Sequence, residues 1–385
     1  MENKKMNAIN EYVKAMIDNK DVREIYLKNE KNLKGITPIE VFNIKYWNEE
    51  FNISDNEIKK VAGKLVNTFT KGLENYNWKI KNDSKLFKLL LEEGRIIRNK
   101  FDDIKTVLKD NKLIDIKIDL FEKFSSFVEI EKRFLKMQNI IFPRLEQKLT
   151  NSRPLSIMWS LHDDSVGLLK EIITNLHSYD EKQMSTIIGK YFFLTLGIIQ
   201  KEELLVLPNA CYLLDLNEWN EMYDEAFDYG YSFMSVKKNL KSNENYEEDF
   251  LIKTNTGSMT LEEMVQIFKK IGVDFTFVDA DNKVKFFNNT EDRIFPRSPS
   301  IIGRNVENCH PPKSLHIVNT IIDNFRNNIK DEARFHIKIK ERFLCISYFA
   351  IRSKDGKYLG VLEVTQDVTN IRSLEGEKRL LDWKE

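Results

Sequence analysis

The sequence predicts a multidomain chain, α first and α+β afterwards. It places an all-helical domain over residues 1–75, an up-down four-helix bundle over 82–235, and a five-stranded antiparallel sheet with helices over 259–370. Three observations carry this. At about 150 residues per domain, 385 residues make two or three domains. Only 14 glycines and 8 prolines are present, a small share that favours long helices. After Met259 the spacing of apolar residues switches from the helical period to alternation.

The first 75 residues read as short helices. Gly35 suits a helix end, and Thr37 with Pro38 starts the next helix. Ser54 with Glu57 forms a capping-box pattern ahead of Ile58, Val61, Leu65 and Phe69 at helical spacing. The bundle's first helix starts at an Asn82-Asp83-Ser84 cap and carries Leu86, Leu90, Ile97, Phe101, Ile104 and Leu108. The second carries Phe121, Phe124, Phe127, Ile130 and Phe134 and runs towards Pro143. The third follows Pro154 with Met158, Leu161, Leu168, Leu169, Ile172 and Leu176; the fourth spans 184–206. Long helices with short polar connections make an up-down bundle, and an amphipathic piece over 217–227 packs across it.

Residues 236–258 are mostly polar and read as a linker. A helix over 261–271 leads into strands at 273–278 and 284–287, then a helix after Pro311. Further strands are expected at 333–339, 343–351 and 358–365, the last two joined by a Ser-Lys-Asp-Gly hairpin turn. A charged helix with Leu374, Leu380 and Leu381 occupies 371–385.

Composition narrows the function. The 60 basic and 60 acidic residues cancel, which argues against a nucleic-acid binder. Cys211, Cys309 and Cys345 are too few and scattered for a disulfide framework. The longest apolar run, 191–199, is broken by Thr195 and is too short to span a bilayer; the N-terminus is polar. These features point to a cytoplasmic chain without membrane contact. Neither a phosphate-binding loop nor a nucleophile elbow or zinc-protease motif occurs, so no enzyme is expected.

The stretches VDFTFVDADNKVKFFN, RIFPRSPSIIGRNVENCHPPKSLHIV and YLGVLEVTQDVT resemble a bacterial PAS sensor domain. FLKMQNIIFPRLEQ, MWSLHDD and QKEELLVLPNACYLLDLNEW make the middle part similar to a hemerythrin-like (HHE) bundle. The first 75 residues resemble the small helical domain of unknown function that precedes such a bundle in one three-part family. The resemblance implies a sensor, yet the bundle departs from the pattern where its iron should sit. A diiron site needs about five imidazoles and two carboxylates, and the bundle has only His162 and His177. Arg133 stands where the family usually has a histidine, Gln138 where it has a glutamate, and Lys88 where it has another histidine. If Arg133 and Lys88 kept the ligand direction, they would place positive charge where a cation belongs. His162, Glu202 and Glu203 do match family positions and leave a degenerate mononuclear metal site as the alternative to a bundle without metal. The N-terminal domain likewise lacks the family's Cys and His around 60–65.

Geometry separates the histidines of the last part. His336 shares the polar face of its strand with Arg334, Lys338 and Lys340, while Phe335, Ile337 and Ile339 face the core. His316 points away from the apolar arc of its helix, whereas a haem-binding PAS domain typically turns a histidine there towards the pocket. Cys309 and His310 precede two prolines, which hold the backbone stiff, and Lys313 follows. This loop is the candidate ligand site; it suits a carboxylate, haem iron or a metal, and equally a rigid turn with a buried histidine. Strand 343–351 is apolar on both faces, one to line a pocket. Leu261, Met264 and Phe268, with Leu374 and Leu381, offer a stripe for a homodimer. The expected function is a cytoplasmic sensor or adaptor. Its PAS domain takes a small ligand, haem being one candidate, and signals through contacts with a protein partner or a second copy. The alternative is an iron- or haem-binding protein handling oxygen or redox state.

Overall fold

A computed structural model describes residues 2–76, 84–110, 113–237, 251–310, 314–339 and 341–377. They fall into two units, built mainly from the first 239 residues and from the remainder.

The helices of the first unit start where local signals place them. Helices α1 (Glu2–Ile17), α2 (Arg23–Lys28) and α3 (Glu30–Leu33) lead to α4 (Pro38–Phe42), which Thr37 and Glu40 cap reciprocally. Ser54 and Glu57 do the same for α5 (Asp55–Glu74). The expectation of short helices fails for α1 and α5, which run for 16 and 20 residues. Cap residues Asn82 and Asp83 lie outside the described residues, but Ser84 Oγ accepts from Phe87 N–H ahead of α6 (Lys85–Asp110).

The second bundle helix is broken into α7 (Lys117–Ser126), a tight turn, α8 (Glu131–Lys136), a π-turn over Met137–Ile141 and α9 (Phe142–Glu146). Then come α10 (Arg153–Asn175), α11 (Glu181–Lys201), a second π-turn over Glu202–Val206, α12 (Leu207–Leu213) and α13 (Leu216–Glu225). The second and fourth bundle helices therefore do not end near Pro143 and at 206, as the sequence suggests, but run on through Pro143 and Pro208. Each lacks an N–H and would clash in a regular α-turn, and the wider π-turn just before it absorbs the misfit.

The sequence separates the N-terminal helices from the bundle, but in the structure they share one apolar core that runs from Ile9 to Tyr231. Short helices cannot bury a full face alone. Here Arg153 of α10 donates to the carbonyls of Trp47 and Ile53 and pairs with Asp55 at 3.1 Å. Lys59 of α5 pairs with Asp164 of α10 at 2.5 Å.

The second unit opens with a two-stranded hairpin, β1 (Leu251–Thr254) and β2 (Gly257–Thr260), where the polar composition suggests linker. Residues 238–250 lie outside the described residues. Helix α14 (Leu261–Lys270) precedes β3 (Asp274–Asp279) and β4 (Val284–Phe287); α15 (Leu315–Arg326) precedes β5 (Glu332–Ile339), β6 (Arg342–Arg352) and β7 (Tyr358–Asp367). The sheet order is β4-β3-β7-β6-β5, antiparallel throughout. Gly356 supplies the positive φ of the predicted β6–β7 turn. At Gly360 an added Cβ would meet the Val278 carbonyl at 2.0 Å, so β7 crosses β3 as closely as a backbone can. The C-terminal helix is only α16 (Thr369–Arg372) among the described residues; Leu380 and Leu381 lie outside them. Among the described residues no helix is long and apolar enough to cross a membrane.

Candidate functional site

Helix α15 and strands β5, β6 and β7 surround a cavity of about 230 Å³. Its walls are apolar: Ile317, Val318 and Ile321 from α15, Phe335 and Ile337 from β5, Ile346 from β6 and Val361 from β7. Four polar residues line it, His310, Ser314, Tyr348 and Glu363. Tyr348 and Glu363 are cross-strand partners on β6 and β7, so both project to the same face. His310 ends the tight turn Val306–Cys309 in extended conformation, as a residue before proline should. Arg297 backs the carboxylate, its Nη2 lying 3.9 Å from Glu363 Oε2, with Arg297 Nε buried and unpartnered.

The charges set the protonation states. Burial pushes the His310 imidazole below its ordinary range; Glu363 opposes this, and Arg297 and Arg304 reinforce it. Burial also raises the Tyr348 phenol, with Glu363 adding to the shift and Arg297 opposing it. A neutral imidazole and a protonated phenol thus share the space with Glu363 and Ser314, and the rest of the lining is apolar. They can hold a small apolar molecule that carries hydrogen-bonding groups.

The loop's two chemical residues do not converge. Cys309 is absent from the cavity wall, and its thiol lies 3.6 Å from the Asn305 carbonyl, to which it donates. Lys313 lies outside the described residues. His316 is exposed, and so is His336, whose ring stacks 5.6 Å from Phe343. Phe335 and Ile337 do not join a sealed core: they line the cavity and stay 40% and 38% exposed. Sequence reasoning missed Tyr348 and Glu363 as site residues. The available signal was a lone acid at the inward position between Val361 and Thr365 on an alternating strand.

The first unit holds a second constellation, wholly buried. His162 Nε2 lies 2.9 Å from Glu202 Oε1, and Arg133 Nε donates to Glu202 Oε2 at 2.6 Å. Gln138 Nε2 lies 3.3 Å from His162 Nδ1, and Phe134 stacks on the imidazole at 4.2 Å. Arg133 Nη1 also donates to the Leu90 carbonyl and lies 3.6 Å from Glu93 Oε2. Lys136 Nζ donates to Glu93 Oε1 at 2.9 Å and to the Gly230 carbonyl. Burial raises the Glu202 carboxyl, but Arg133 and His162 outweigh it and hold it below its ordinary value. This donor set does not fit an iron centre. Both Glu202 oxygens are engaged, one by the imidazole and one by a guanidinium, so a cation would have to displace Arg133.

Two family-matched positions do not join this cluster. Glu203 faces away from His162 and pairs with Arg98, in space that Gly94 leaves open, since a Cβ there would meet Glu203 Oε1 at 2.2 Å. Lys88 is exposed, so it does not enter the core as Arg133 does. The second buried cation is Lys136, three residues after Arg133, which sequence reasoning did not single out. Among the described residues no group of three or more His, Cys, Asp and Glu side chains is placed to hold a metal ion.

Comparison with known proteins places the second unit. Residues 264–369 match the family model described as PAS domain, and the sheet order and helix placement agree with a PAS fold. Similar solved structures include the C-terminal domain of a protein from Streptococcus mutans, 29% identical, covering 34% of this chain and 100% of that one with a TM-score of 0.32. A PAS domain from Colwellia psychrerythraea is 18% identical, covering 29% of this chain and 98% of its own, with a TM-score of 0.23. A sensory box sensor histidine kinase from Vibrio cholerae is 18% identical over 28% of this chain and 90% of its own, with a TM-score of 0.23. No curated protein matches the sequence.

Proposed function

We propose that the chain is a non-enzymatic cytoplasmic sensor whose PAS cavity takes a small ligand and whose response passes to a protein partner or a second copy. The observation that carries this reading is the apolar cavity with His310, Tyr348 and Glu363 converging in it. Its volume of about 230 Å³ is below the roughly 300–1,000 Å³ of drug-sized pockets. That size, and a carboxylate facing inward, favour a small, mostly apolar hydrogen-bond donor over haem or an anion. The test is a fragment screen by ligand-observed NMR on the full chain. For the best fragment, His310→Ala weakens binding about tenfold or more, as loss of one buried polar partner does. His336→Ala leaves binding unchanged. Equal effects at both positions, or none at His310, reduce the loop to a rigid turn.

The helical unit, in this reading, is a hemerythrin-like bundle that has exchanged iron for ion pairs and serves as the sensor's contact surface. The Arg133–Glu202 pair at the place of the expected ligands supports it.

A further inference from the structure

A groove of about 1030 Å³ lies in the helical unit between α5, α6 and α11, separate from the PAS cavity. Gly63 of α5 and Gly197 of α11 both line it, and the Lys201 ammonium lies over Gly197. A Cβ built at Gly63 meets nothing within 4 Å. Glycine inside a helix weakens it, and at Gly63 it leaves room that a ligand can fill.

The charges along this groove do not balance. Lys59 pairs with Asp164, Lys105 with Asp102, and Arg98 with Glu203. Lys60, Lys64 and Lys201 remain, against Glu74 alone among the lining acids. Lys60 and Lys64 are exposed and cost nothing. Lys201 is different. It is half-buried, also borders a small apolar pocket beside Leu161 and Leu205, and its ammonium donates only to the Gly197 carbonyl, at 3.1 Å. Among the described residues no carboxylate lies within 4.0 Å of it. A half-buried cation without a counter-ion destabilises the free protein and is relieved by an incoming anion. The adjoining wall is apolar and wet: Phe193 is 78% exposed beside Leu196 and Leu204.

We propose that this groove binds a monoanionic carboxylate with an apolar body, the carboxylate seated on Lys201 and the hydrocarbon lying along Phe193, Leu196 and Leu204. One unpaired lysine at depth asks for one negative charge, and the exposed apolar wall beside it asks for a hydrocarbon body.

The probe is dodecanoate, held below its micelle concentration and titrated calorimetrically into the full chain, with dodecanol as the neutral counterpart. Dodecanoate binds, dodecanol binds at least about tenfold more weakly, and Lys201→Met and Gly63→Leu each weaken dodecanoate by about tenfold or more. His310→Ala binds it as the wild type does, which separates this groove from the PAS cavity. Lys201→Met also melts higher than the wild type, because an unpaired buried charge has gone, so its weaker binding cannot come from unfolding. Four results overturn the proposal: no binding of dodecanoate, equal binding of dodecanol, wild-type affinity in both groove variants, or loss of binding in His310→Ala alone.

Discussion

Arg133 lies among acceptors: Glu202 and the Leu90 carbonyl take its guanidinium hydrogens, and Glu93 Oε2 lies 3.6 Å from its Nη1, in a site with no exposure to water. Removing one partner of such a cluster commonly costs about 3–5 kcal/mol, because the remaining charges stay buried. Lys136 is the more easily tested member. Burial pulls its ammonium down to about 8 despite the attraction of Glu93. Above that pH the folded chain releases this proton before the unfolded chain does, so the unfolded state binds more protons. Stability contributed by Lys136 therefore rises with pH between about 8 and the ordinary lysine value, by up to about 1.4 kcal/mol per pH unit. Urea unfolding at pH 7 and pH 10 shows the wild type gaining on Lys136→Met; a constant difference between the two proteins would contradict it.

Elements show where local chemistry was overruled. Capping pairs at Thr37–Glu40 and Ser54–Glu57 formed as their spacing implies, since they need only neighbouring residues. The helix ends expected near Pro143 and at 206 misled: the π-turns that precede Pro143 and Pro208 carry both helices on, to Glu146 and Leu213. Those turns sit beside the ion pairs, with Lys136 just before one and Glu202 opening the other. In the sheet, Gly360 holds a φ of 147° against the β3 backbone. Gly360→Ala forces a Cβ into the Val278 carbonyl and strains the backbone, so β7 must shift. We expect a loss of more than about 1 kcal/mol, read as a lower melting temperature of the PAS unit; an unchanged melting point would show that the contact is slack.

At the scale of the molecule, the helical unit owes its stability to packing and ion pairs in this reading, so chelation with EDTA leaves its melting temperature unchanged. A marked fall, or stoichiometric iron in the purified protein, would restore the metalloprotein alternative. Assembly gives the other prediction. Helix α14 buries none of its residues, and Ile267 and Met259 beside it stay 49% and 38% exposed. Light scattering at micromolar concentration gives the mass of a homodimer, and Met264→Lys shifts it towards monomer. Leu374 is 76% exposed, while Leu381 lies outside the described residues.

Period and spacing alone determined the two structural classes, the order of strands along the chain, and the separation of His310 from His316 and His336. These depend on neighbours a few residues apart, which a sequence displays directly. Convergence depends on residues far apart in the chain. The meeting of Glu363 with His310, the pairing of Arg133 with a glutamate 69 positions on, and the turning of Glu203 away from Glu202 needed the fold. A π-turn rotates the face that a helical residue presents, and strand pairing chooses which side chains share a wall. Adjacent Cys309 and His310 looked like one site, but Cys309 closes a tight turn and donates back to the Asn305 carbonyl, while His310 leaves that turn in extended conformation and lines the cavity. Arg133 could be seen to break the metal pattern from sequence, but only tertiary packing supplied the two carboxylates that let its charge stay buried.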